Sequence, residues 1–214
     1  MDEELYLTAA DRAYQIISQK ILDGEFQPGM KLSRRNMASV TGVSVIPVIE
    51  ALKRLEEDSL VESRPKWGSF VTVPTKKKIL ESFQLREAIE CQSARIMAEA
   101  MTEEQKEELW TIATKLDTVP YSAETMMDSR DYHLSFHQRL TEFTGNPRLV
   151  DTLRKINLFY VLCRAIRANA PKKDYPRYWH RYLVDEISSG DPDRAERAMR
   201  EHVNDSLQLI LKEN

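Results

Sequence analysis

Residues 33–57 read SRRNMASVTGVSVIPVIEALKRLEE, two short helical patterns separated by a tight turn. Ser33 is a good N-cap for the first, which carries Met37, Ala38 and Val40, and Thr41-Gly42 closes it with the glycine that a left-handed turn residue favours. Ser44 is the expected cap of the second. There Pro47 falls in the first turn, where a missing N–H costs little, and Val48, Ala51, Leu52 and Leu55 form the buried stripe. Upstream, a helical periodicity from Thr8 through Ala13, Ile16, Ile17, Ile21 and Leu22 stops at Asp23-Gly24. Downstream, the strand-like segments Leu60–Ser63 and Ser69–Val73 flank the turn Arg64-Pro65-Lys66-Trp67-Gly68. Helix, helix, tight turn, helix and β-hairpin is the order of a winged helix-turn-helix, in which the third helix enters the major groove of DNA.

The remaining chain reads as helix to its end, so the fold class is mainly α. Residues 1–74 form the winged domain, 75–78 (Thr75-Lys76-Lys77-Lys78) a short polar linker, and 79–214 an all-helical bundle. Helices are expected over Leu80–Ala100, from the capping box Thr102-Glu103-Glu104-Gln105 to about Val119, and over Ser122–Phe143, Arg148–Ala168 and Tyr175–Ser189. Asp191 caps the last, with Pro192 at its first position. With 214 residues and 42% hydrophobic content, both domains can bury a core. No signal peptide or membrane span is recognisable, so a cytoplasmic location is expected. The two cysteines, Cys91 and Cys163, fall in separate helical segments and read as buried thiols rather than a disulfide.

Charge adds modest support. The net charge is -3, yet residues 11–78 carry 12 Lys and Arg against 8 Asp and Glu, a balance of +4 that suits a DNA-binding surface without requiring one.

The four histidines are placed informatively. His133 and His137 lie four apart, so both imidazoles leave the same helix face one turn apart, a spacing that lets two histidines grip one metal ion. His180 and His202 lie on two later helices. The spacing alone leaves hydrogen-bonded or surface histidines as the commoner alternative.

Several spaced phrases carry a resemblance. Gly24-Glu25-Phe26-Gln27-Pro28-Gly29-Met30-Lys31-Leu32, Gly42-Val43-Ser44, Pro47-Val48, Glu50-Ala51-Leu52, Arg54-Leu55-Glu56, Leu60-Val61 and Gly68-Ser69-Phe70-Val71 resemble the DNA-binding domain of the GntR family. Leu85-Arg86, Ile89-Glu90, Phe136-His137, Thr144-Gly145-Asn146-Pro147 and His180 through Gly190-Asp191 to His202 resemble the FCD ligand-sensing domain of its FadR-like branch. The resemblance implies a ligand-responsive transcription regulator, a repressor and homodimer, acting on operator DNA and answering to a small organic acid. It is not expected to be an enzyme.

The resemblance also implies sites. In metal-binding members an Asp and three His hold the ion; His137, His180 and His202 match the histidines, and His133 stands where the Asp is expected. Four nitrogen donors suit Zn²⁺, with Ni²⁺ or Co²⁺ as alternatives, and they leave a bound cation its full charge to attract an anionic effector. Arg86 is the implied carboxylate partner, or a structural salt bridge, with Tyr160 and Arg164 as further effector candidates. On the DNA side, Ser44, Val45, Ile46, Pro47, Ile49 and Lys53 lie on the recognition helix, Arg34 and Arg35 before it, and Lys66, Trp67 and Gly68 at the wing. Val45 and Ile49 occupy positions where the family usually carries arginine. Val45, Ile46 and Ile49 then touch thymine methyl groups, or form an apolar surface for another protein, while Arg34, Arg35, Lys53 and Lys66 serve phosphates. Two other functions stay open: a sensor for which the metal itself is the signal, and a helical-bundle metalloenzyme. The latter is disfavoured because no His-Glu-x-x-His phrase supplies a general base.

Overall fold

Local signals set the first helices. The computed structural model describes residues 7–118, 126–165 and 179–212, and the side chains of these except 126–133, 164–165 and 212. Helix α1 (Ala9–Leu22) starts on a reciprocal capping box between Thr8 and Asp11 and buries Ala10, Ala13, Ile17 and Ile21. After the short strand β1 (Lys31–Leu32) comes α2 (Arg34–Thr41), capped by the Ser33 hydroxyl, which accepts from the Asn36 N–H. Gly42 ends it at φ 68°, where a Cβ would be strained.

Helix α3 (Val45–Glu57) buries Val48, Ala51, Leu52 and Leu55 as the periodicity requires, but Ser44 caps it differently from expectation. The Ser44 side chain makes no capping hydrogen bond. The physical reason lies in the same sequence: the third helical residue, whose N–H such a serine usually receives, is Pro47, which has none.

Strands β2 (Val61–Arg64) and β3 (Gly68–Val71) form the wing. With β1 they make a three-stranded antiparallel sheet of order β1-β3-β2, pairing Lys31 with Phe70 and Val61 with Val71. Ile17, Ile21, Leu32, Met37, Leu55, Leu60 and Val71 are fully buried, so helices and sheet share one core. The β1 strand did not show in the sequence, because two residues cannot display a period of two.

The helices that follow are α4 (Lys76–Ala100), α5 (Glu103–Thr118), α6 (Met126–Phe143), α7 (Pro147–Ala165), α8 (Trp179–Ile187) and α9 (Pro192–Lys212). Lys76, Lys77 and Lys78, expected in a linker, are instead the first turn of α4. Lysine is a good helix former, and α4 starts two residues after Pro74. The expected α5 capping box is present, with Thr102 and Gln105 exchanging hydrogen bonds at 3.0 and 3.2 Å. Asp191 accepts from the N–H groups of Asp193 and Arg194 at the start of α9. Helix α8 ends at Ile187, two residues before the expected Ser189, while the expected starts at Ser122 and Tyr175 and the end at Ala168 lie outside the described residues.

Two compact units result. One contains the winged domain up to Thr75 and takes in the part of α7 from Leu158; the other contains Lys76–Asn157 and the last two helices. In the second, α4 packs along α9, α5 against α6 and α8, and α8 against α9. Cys91 and Cys163 are both buried, and neither is in a disulfide. Among the described residues no helix is long and apolar enough to cross a membrane.

Candidate metal centre and nucleic-acid interface

The buried face of α4 runs through Ile79, Phe83, Arg86, Glu90, Ala94 and Met97, a helical stripe interrupted by two opposite charges. Arg86 is 1% and Glu90 0% exposed. The Arg86 Nε donates to Glu90 Oε1 at 2.5 Å, and Glu90 Oε2 lies 2.6 Å from Nδ1 of His137 on α6. Burial pushes the Glu90 carboxyl upward, but Arg86 and His137 outweigh it and hold it at about 2. Burial dominates at His137 and lowers it to about 4, with Glu90 only partly opposing. At neutral pH this is a carboxylate beside a neutral imidazole, whose proton the contact assigns to Nδ1. The Nε2 lone pair of His137 is thereby left on the other side of the ring.

That Nε2 lies 3.2 Å from Nε2 of His202 on α9. Burial and the neighbouring imidazoles of His180 and His137 push His202 well below the ordinary histidine range, so it too is neutral. His180, at the second position of α8, is held by a second carboxylate: Asp117 Oδ1 sits 3.0 Å from its Nδ1. Asp117 also accepts the backbone N–H groups of His180 and Arg181, each at 3.1 Å, and Arg181 Nε at 3.2 Å. It thus supplies from α5 the capping oxygens that the first turn of α8 needs. Although burial opposes it, the bonds from His180 and Arg181 keep Asp117 below the usual carboxylate range.

His137, His180 and His202 each offer a ring nitrogen, and the three lie within 4.8 Å of one another. Phe136 meets His137 and His180 edge-on at 5.3 and 5.4 Å, and Trp179 lies 4.2 Å from the His202 ring. The donor set fits a divalent transition metal. Two nitrogens bound tetrahedrally at about 2.0–2.1 Å stand roughly 3.3 Å apart, close to the observed His137–His202 separation. Both carboxylates lie behind their imidazoles, in the outer-shell arrangement that fixes ring orientation and tautomer in histidine metal sites.

Three of the four expected ligands therefore come together; the side chain of His133, one turn before His137 on α6, lies outside the described residues, as does that of Arg164. Tyr160 is buried in the stretch of α7 that groups with the winged domain. Arg86 commits its Nε to Glu90. Glu90 and Asp117 were not among the expected site residues. Glu90 had a signal, since a charged pair four residues apart on an apolar stripe must find partners indoors. Asp117 had none, because its partner is 63 residues away.

On the winged domain, Ser44, Val45, Ile46, Ile49 and Lys53 are exposed along α3, and Pro47 is half-buried. Arg34 and Arg35 open α2 and Lys66 lies in the wing turn; with Lys53 all are exposed and, among the described residues, make no ion pair. Trp67 is 69% exposed at the wing tip. Gly68 begins β3 at φ 95°.

Comparison with known proteins follows these two halves. Residues 9–71 match the family model described as bacterial regulatory proteins, gntR family, and residues 81–205 match the FCD domain. The HTH-type transcriptional repressor RspR of Escherichia coli (strain K12) is 27% identical over 206 residues, spanning 94% of this chain and 90% of that protein. The probable D-xylose utilization operon transcriptional repressor of Paenarthrobacter nicotinovorans is 24% identical, over 92% of this chain and 86% of its own length. The crystal structure of a putative GntR transcriptional regulator from Rhodococcus sp. RHA1 shares the fold, with a TM-score of 0.76 at 24% identity over 96% of this chain and 98% of that one.

Proposed function

Because this chain belongs to the FCD-domain branch of the GntR family, transcription regulators rather than enzymes, we propose that it is a cytoplasmic, homodimeric repressor whose helical domain holds a divalent metal and senses a small organic acid. The observation that carries the reading is the buried trio His137, His180 and His202, two of them held from behind by Glu90 and Asp117. Neutral imidazoles are the metal-binding form, and the carboxylate contacts direct a nitrogen of each ring away from its partner acid.

Electrostatics favours an anionic effector. Glu90 is balanced by Arg86 and Asp117 by Arg181, so neither outer carboxylate leaves a net negative charge at the cluster. A bound Zn²⁺, Ni²⁺ or Co²⁺ supplies a positive centre with affinity for a carboxylate. His133, from its place one turn before His137, is the proposed fourth ligand, and Arg86 is the proposed effector contact. The three central histidines sit on α6, α8 and α9, so a change in their separation moves helix against helix. In a dimer that reads two half-sites about one helical turn of DNA apart, such a movement changes whether both winged domains fit.

The reading is tested with an operator duplex obtained by in vitro selection. Fluorescence anisotropy should show release of the duplex by one or more members of a panel of small carboxylic acids with metal-loaded protein, and none after chelation. Release that is indifferent to metal contradicts the proposal. Release by metal alone, without any acid, favours the metal sensor instead.

A further inference from the structure

The outward face of α3 is apolar where a DNA-reading helix usually carries hydrogen-bonding groups. Ile46 is 78% exposed and Ile49 40%, with Val45 at 38%. The buried stripe of Val48, Ala51, Leu52 and Leu55 fixes the opposite side toward the core, so Ile46, Ile49, Glu50 and Lys53 share the outward face at helical spacing. Nothing in the fold needs an isoleucine that is three-quarters in water, and exposed apolar clusters of this kind mark binding surfaces.

We infer that α3 reads thymine through its 5-methyl group, Ile46 and Ile49 being the residues that make the contact. In the major groove, thymine alone among the four bases presents a methyl group; guanine presents two acceptors, adenine an acceptor and an amino group, cytosine an amino group. An isoleucine side chain neither donates nor accepts, so a guanine edge packed against it loses water without gaining a partner, whereas a thymine methyl gains an apolar contact. The exposed cations of this domain, Arg34, Arg35, Lys53 and Lys66, suit a polyanion, which makes DNA the occupant of this face in preference to an acid-poor protein surface. The inference rests on the DNA-binding role of the family and is independent of the metal site.

The test is selection of preferred duplexes from a random library by the full-length chain, followed by replacement of each enriched thymine with uracil, which removes only the methyl. Selected half-sites should contain thymines whose replacement weakens binding roughly fourfold each, the worth of burying one methyl group. The Ile46→Ala variant, whose fold a circular dichroism spectrum and melting temperature check, should bind the thymine and uracil duplexes equally at one of those positions. Uracil that is tolerated everywhere overturns the inference while leaving DNA binding intact. Enrichment of guanine-centred half-sites that Ile46→Ala binds as well as the parent does so too, and failure to enrich any sequence overturns it together with the assumption that α3 reads bases.

Discussion

Replacing Glu90 by glutamine should destabilise the helical domain and, separately, weaken its hold on metal. One Glu90 oxygen accepts from Arg86 Nε at 2.5 Å, and the other lies 2.6 Å from His137 Nδ1. An amide keeps one acceptor and turns its NH₂ toward a second donor, while the Arg86 guanidinium, 1% exposed, loses its counter-charge. Breaking a buried ion pair by removing one partner costs about 3–5 kcal/mol, which for a chain of this size lowers the melting temperature by roughly 10–15 °C. The double variant Arg86→Met, Glu90→Leu removes both charges and leaves an apolar stripe. It should recover most of the lost stability, because replacing a buried pair with packed apolar groups is close to neutral. Its metal affinity should nevertheless remain about 10–100-fold below the parent's, since the carboxylate behind His137 is then gone. Calorimetry gives the melting temperatures, and competition with a chelator, followed through the fluorescence of Trp179 beside His202, gives the affinities. A Glu90→Gln protein that melts with the parent, or a double variant with parental metal affinity, refutes the reasoning.

Three further outcomes are expected. Asp117→Asn keeps an acceptor for the first turn of α8 but loses the charge behind His180, so metal affinity should fall about 10–100-fold in the same chelator competition; parental affinity would deny Asp117 its positioning role. Arg35→Ala should lower the slope of log affinity against log salt by about one per winged domain without moving the melting temperature, and an unchanged slope would remove Arg35 from the phosphate contacts. Acid should weaken the metal-free protein. Folded His137 sits at about 4 against an ordinary 6.5, and His202 also lies well below it, so the unfolded chain takes up these protons first. That stability is complete above about pH 6.5 and lost toward pH 4, and Glu90, held at about 2 against 4.5, continues the loss below pH 4.5. A urea midpoint that stays level from pH 7 to 4.5 would contradict this.

The winged domain was legible because its signals are local. Ser33, Gly42 and the stripe Val48, Ala51, Leu52, Leu55 each act within one turn of chain, and each does what its chemistry dictates. Where two local rules met, the reading failed: Ser44 has the right side chain for a cap, but Pro47 removes the N–H it would receive. The three lysines before Ile79 looked like a linker by charge, yet they carry ample helix propensity and continue α4 outward. In the helical domain the histidines stood out through scarcity and through the resemblance, and the fold gathers His137, His180 and His202. Their carboxylate supports were harder to see. Pairing across long sequence separations is decided by packing, and only the misplaced charges of Arg86 and Glu90 on an apolar stripe hinted at it.

The central claim is that His137, His180 and His202 form a metal centre, and counting metal atoms per chain tests it most directly. Elemental analysis of the full-length protein purified from metal-replete cells should find one divalent transition metal ion per chain, zinc first among the candidates, and almost none in the His137→Ala, His180→Ala, His202→Ala triple variant. Metal-free parent protein that also fails to take up added Zn²⁺, Ni²⁺ or Co²⁺, or a triple variant that retains its metal, would contradict it.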